Sequence, residues 1–103
     1  MSQPQINSLM SVDRVVHEPA RLIILSILSG AEQAEFKLLE SMTGLSKGNL
    51  SSHIAKLEEA RYVEVSKSFR DKFPLTTLRI TKQGRSALKS YRQQIATALR
   101  TSS

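Results

Sequence analysis

Three observations predict an α+β fold, mainly α, for this chain of 103 residues. Apolar residues recur at helical spacing as far as about residue 60, the period falls to two from Tyr62, and helical spacing returns beyond Thr81. The length suits one domain, 1–103, that buries roughly two-thirds of its unfolded surface.

Each element follows from local chemistry. In "SLMSVDRVV" (8–16), Leu9, Val12, Val15 and Val16 share a side, with Ser8 as cap, which predicts a short first helix. Pro19 suits the first turn of a second helix reaching about Ser29, since its missing N–H is not needed there. Leu22, Ile23, Ile24, Leu25, Ile27 and Leu28 nearly encircle that helix and predict a central place in the core. Phe36, Leu38, Leu39 and Met42 mark a third helix closed by Gly44, and Ser46 caps a fourth running to about Ala60. Helix, short turn and helix over about 36–60 is a helix-turn-helix. Val63 and Val65, then Leu78 and Ile80, alternate with polar residues, so two strands over about 62–80 are expected, with "KSFRDKFP" as a basic loop between them. Pro74 belongs in that loop or at a strand edge. A last helix, about 82–100, is capped by Thr81 and striped by Leu88, Tyr91, Ile95, Ala98 and Leu99.

Composition bounds the function. No cysteine is present, which excludes disulfides and thiolate metal sites. "PARLIILSILSG" falls short of the ~20 apolar residues a membrane span needs. The amino terminus lacks a signal peptide's positive start and apolar stretch, so a cytoplasmic protein without a membrane partner is expected. Residues 1–60 hold five Lys or Arg against seven Asp or Glu, whereas 61–103 hold ten against two. A positive field confined to the carboxy-terminal part points to a polyanionic partner or, more plainly, to a solvated surface. No enzyme is predicted: the serines lack a base at a recognisable spacing, and the glycines form no phosphate-cradling loop. No cofactor is implied. His17 and His53 are the only histidines, too few for a metal site unless shared across a dimer, so none is expected.

The stretch after Ser46 carries the sharpest signal. Leu50, Ile54 and Leu57 face one way, while the other side offers Gly48, Asn49, Ser51 and Ser52, residues that weaken a helix and need a reason.

The order of elements, together with "HEPARLIILSIL", "LLESMTGLSKGNLSSHIAKLEEARYVEV" and "PLTTLRITKQGRSAL", resembles the compact winged-helix transcriptional regulators of the MarR/ArsR-like group over most of residues 17–88. Two positions depart from the pattern: Arg61 stands where glycine is common, and Phe73 where another basic residue is expected. The resemblance implies a double-stranded DNA partner and a recognition helix whose first turns enter the major groove. Gly48 would permit close approach, Asn49 suits adenine, Ser51 and Ser52 can bond to base or phosphate, and Lys47 and Lys56 can reach phosphate or guanine. The plainer alternative is that Asn49 and the serines only complete the cap. On the wing, Lys67, Arg70 and Lys72, with Arg79 behind them, are candidate phosphate contacts, or else a solvated loop.

Leu88 and Ile95, like Tyr91 and Ala98, lie seven apart, the spacing of a two-helix seam. With Leu99, and with Leu9 from the first helix, they predict a homodimer; the alternative for Ala87 and Leu88 is the chain's own core. The expected function is a sequence-specific transcriptional regulator, most simply a homodimeric repressor on a palindromic operator. A winged-helix protein-interaction or non-specific nucleic-acid-binding module is the alternative. A small-molecule effector is possible in principle, but no residue indicates one.

Overall fold

The computed structural model describes residues 11–101. Its element order is α1 (Pro19–Ala31), β1 (Gln33–Glu35), α2 (Phe36–Thr43), α3 (Lys47–Glu59), β2 (Val63–Arg70), β3 (Phe73–Ile80) and α4 (Lys82–Thr101). The strands form one antiparallel sheet in the order β1-β3-β2.

The helix expected over 8–16 is corrected over its described part, 11–16. Ser8, Leu9 and Met10 lie outside the described residues, and residues 11–18 form turns and bends before α1 begins. Asp13 is the cause: its Oδ1 accepts from the N–H groups of Val15 at 2.8 Å and Val16 at 3.3 Å, capturing donors that a helix would direct to carbonyls. The apolar pattern nevertheless serves its purpose, since Val12 and Val16 are buried.

The remaining helices start and stop where their caps dictate. Pro19 opens α1 and the Glu18 carboxylate accepts from Arg21 N–H at 2.9 Å. Ser46 Oγ accepts from Asn49 N–H at 3.2 Å to open α3, and Thr81 Oγ1 from Gly84 N–H at 2.9 Å to open α4. Gly44, at φ 71°, closes α2 in the left-handed conformation that glycine adopts without penalty. Ile24, Leu25 and Leu28 of α1 are fully buried, but Ile23 is 48% exposed, so α1 lies against the core along one broad face instead of being encircled by it. Leu39 alone of α2 is fully buried; Leu38 and Met42 face outward. Leu50, Ile54 and Leu57 join Val63, Leu78, Ile80, Leu88 and Tyr91 to complete the core.

Two further expectations change. A third strand exists, because Gln33, Ala34 and Glu35 pair with Arg79, Leu78 and Thr77. The eight-residue basic loop does not: the strands pair as far as Arg70 with Phe73, leaving a two-residue turn, Asp71 and Lys72. Both turn residues have positive φ, 50° and 73°, the requirement of the tight turn whose twist matches a hairpin. Pro74 sits on β3 beyond the end of β1, so no strand loses a hydrogen bond to its missing N–H.

Gly84 explains itself only in three dimensions. A Cβ there would lie 2.2 Å from the Tyr62 carbonyl oxygen, which already accepts from Thr81 N–H at 3.0 Å. Glycine thus lets α4 start directly on the base of β2. Arg61, at φ 66°, adopts the backbone that glycine commonly supplies at this point in the resembling family.

Candidate nucleic-acid interface

On α3, Leu50, Ile54 and Leu57 anchor the helix, and Lys47, Gly48, Asn49, Ser51, Ser52 and Lys56 are all exposed. At about 100° per residue, Gly48 and Ser52 stand about 160° from Leu50 on either side, the outermost line of the helix. Lys47 and Ser51 turn toward the wing, lining with Val65, Lys67 and Thr76 a groove of about 310 Å³. Asn49 gives its backbone N–H to the Ser46 cap and keeps its side chain exposed. No atom of the chain outside Gly48's own surroundings would come within 4 Å of a Cβ built there, so packing does not demand a glycine. The same helix ends in exposed Glu58 and Glu59, which would repel phosphate. The face suited to a polyanion therefore runs from Lys47 to Lys56 and stops short of those carboxylates.

His53 lies between that face and α1. Arg21 Nη1 donates to His53 Nδ1 at 3.1 Å, and Glu18 Oε2 stands 3.8 Å from Nε2. Arg21 also donates from Nε to the Val15 carbonyl at 2.6 Å, so one guanidinium ties the turn before α1 to α3. Burial pushes the Glu18 carboxyl upward, but the Arg21 N–H, then the neighbouring His53 and the Ala20 N–H, bring it below its ordinary value overall. His17 shares a hydrogen bond of 2.7 Å with the Tyr91 hydroxyl. Among the described residues, no three His, Cys, Asp or Glu side chains gather into a metal site.

The wing is a ribbon. Val63 with Ile80 and Val65 with Leu78 form the row facing the core; Lys67 with Thr76 and Phe69 with Pro74 continue that row beyond β1. Arg70 and Phe73 lie on the opposite face. Four cross-strand pairs project past β1, a length of about 13 Å at ~3.4 Å per residue. Lys67 and Lys72 are exposed there. Arg70 is engaged, its Nη2 2.7 Å from Glu35 Oε1 at the end of β1. Sequence reasoning missed Glu35, since no local pattern relates residues so far apart. Arg79 sits at the base of the sheet, donating to Gln33 Oε1 at 3.2 Å, well away from the tip. At the base of the wing, Tyr62 donates its hydroxyl to Asp13 Oδ2. Burial first, then that carboxylate, pushes the Tyr62 hydroxyl up to about 12.

The residues expected on the seam divide between core and surface. Leu88 and Tyr91 are buried inside this chain, because α4 packs along α1 through its first half. Ile95 and Ala98 are half-buried and Leu99 is 67% exposed.

Known proteins resemble this chain in sequence and, where solved, in fold. A family model for the winged helix DNA-binding domain matches residues 20–99. An uncharacterised protein of Methanocaldococcus jannaschii is 38% identical over 82 residues, covering 80% of this chain and 89% of that protein. The solved structure of a transcriptional regulator homologue from Pyrococcus horikoshii superposes with a TM-score of 0.87 at 26% identity, over 96% of this chain and 97% of its own. A regulator of the ArsR family, 17% identical with a TM-score of 0.57 over 97% and 95% of the two chains, shares the fold.

Proposed function

Because the chain belongs to the winged helix DNA-binding domain family of transcriptional regulators, we propose that it reads specific duplex sequences as a homodimer, most simply repressing from a palindromic operator. The carrying observation is Gly48. An exposed glycine in the first turn of α3, with open space around it and an ordinary φ, lowers helix stability without serving the fold. A major-groove reader gives it a use, since its backbone must come close to base edges, with Ser52, Asn49, Ser51 and Lys56 as the hydrogen-bonding groups around it. Lys47, Lys67 and Lys72 would then neutralise phosphate.

Pairing is favoured because one such helix reads few bases. With Leu88 and Tyr91 occupied by the core, Ile95, Ala98 and Leu99 are the residues proposed for the seam. Light scattering of the full chain should give a dimer that Ile95→Asp with Leu99→Asp converts to monomer; a monomeric parent would refute this.

Selection from a random duplex pool near physiological salt tests the reading. A two-fold symmetric motif with half-sites about 10 bp apart supports it. Retention without any motif would favour a second reading, non-specific nucleic-acid binding. One observation supports that alternative: α4 carries Lys82, Arg85, Lys89, Arg92 and Arg100 and no acidic residue over its 20 positions.

A further inference from the structure

Phe69 and Phe73 are 74% and 73% exposed, and they are two of the chain's three phenylalanines. Both lie on the ribbon that projects past β1. Cross-strand register sets them on opposite faces, Phe69 beside Pro74 and Phe73 beside Arg70. The ring contact found among the described residues, His17 with Tyr91, lies elsewhere. Neither ring therefore contributes to the core, and a wing that served phosphate alone would need only cations and small polar residues. Lys67 lies on the same face as Phe69, Arg70 stands beside Phe73 and is paired with Glu35, and Asp71 with Lys72 leaves the very tip neutral. Aromatic surface with Lys67 beside it, and Arg70 next to it in a surface ion pair that a phosphate can compete for, fits a partner that is anionic outside and apolar within.

Duplex DNA meets that description in its minor groove, where phosphates line the rims and sugar and base faces form the walls. That groove is about 6 Å wide, too narrow for a ribbon bearing a ring on each face. Entry must widen it and unstack a base step, which exposes apolar surface for the rings to cover. The ribbon also stands beside α3, as the groove shared by Lys47, Ser51 and Lys67 shows. We propose that Phe69 and Phe73 form an aromatic wedge that opens the minor groove next to the half-site and bends the duplex. The wedge selects flexible pyrimidine–purine steps over stiff A-tracts at positions α3 does not touch. This inference rests on the DNA-binding reading above.

Its test uses the full chain and duplexes labelled at both ends for energy transfer, each carrying the selected half-site with a TA step, a CA step or an A-tract under the wing. The parent should bend the first two by at least about 20° and bind them about tenfold more tightly than the A-tract. Phe69→Ala with Phe73→Ala should abolish the bend and level the three affinities, while the base preferences under α3 keep their order. Phe69→Leu with Phe73→Leu, which keeps apolar bulk on the strands, should retain most of both effects and so separates loss of the wedge from loss of the hairpin. An unchanged bend and step preference in the double alanine variant would overturn the wedge alone; a parent that binds no duplex would overturn the DNA reading with it. Flotation with phosphatidylglycerol vesicles supplies the remaining arm. Vesicle binding lost in the double alanine variant, with DNA bending intact, would assign the rings to a lipid surface and refute the proposal.

Discussion

Replacing Gly48 with alanine is expected to raise the stability of the fold while weakening its hold on DNA. An added methyl group would meet no atom within 4 Å, and the backbone there is already helical. In a helix interior, alanine exceeds glycine by about 0.8–1.0 kcal/mol. Gly48 is the second residue of α3, where the end frays and the Ser46 cap already orders the turn, so we take about half, ~0.5 kcal/mol. For a domain of this size that raises Tm by about 2–4 °C. Against base edges, the same methyl enlarges the outermost line of the helix, and a loss of about tenfold in affinity, equivalent to ~1.4 kcal/mol, is expected. Circular-dichroism melts of the free protein and fluorescence anisotropy on a selected duplex, both at fixed salt, read the two effects separately. Higher stability with unchanged affinity would remove Gly48 from the interface. Lower stability would refute the premise that the glycine is structurally unneeded.

At Gly84 alanine should do the opposite. Its Cβ would stand 2.2 Å from backbone oxygen of Tyr62 and 3.0 Å from the Ile80 side chain, so urea unfolding should report a loss of about 2–3 kcal/mol from overpacking. Glu35→Gln releases Arg70 from a pair whose arginine is largely exposed and whose carboxylate is partly so, so stability should move by less than about 1 kcal/mol. Binding to every duplex should tighten, and the slope of log K against log salt should steepen by up to about 0.9, one phosphate contact. Arg70→Ala with Lys72→Ala should flatten that slope; a salt titration that leaves it unaltered takes the wing out of the interface. Tyr62 keeps its proton in the folded state to about 12, against 10.0 ordinarily. The unfolded chain releases that proton first, so the contribution is intact below pH 10 and is lost as pH rises toward 12. Chemical denaturation across that range should show Tyr62→Phe losing less stability than the parent; parallel losses would mean the hydroxyl is not held.

Periodicity and caps were legible by themselves because they are local. Leu50, Ile54 and Leu57 declare a helix face, Val63 and Val65 a strand, and Ser46, Thr81 and Gly44 the boundaries, each through groups a few residues apart. The helix-weakening side of α3 was equally visible, since propensity is a property of the residue. What needed tertiary structure was every pairing across the chain. Asp13 turned an apolar, helix-spaced stretch into turns by bonding Val15 and Val16 while receiving Tyr62 from the wing. β1 is three residues of no distinctive composition, made a strand by the open edge of β3. Leu88 and Ile95 share one stripe, yet the first is buried and the second is partly exposed, because α1 runs antiparallel to α4, with Ser29 by Arg85 and the residue before its start, His17, by Tyr91, short of Ile95. Arg70 read as a free cation until the ribbon brought it to Glu35. The sequence by itself thus determined four helices, the two wing strands and the helix-weakening polar side of α3. Tertiary structure decided which charges are committed, which apolar groups are covered and why Gly84 is glycine, since these depend on distances between segments that no local pattern encodes.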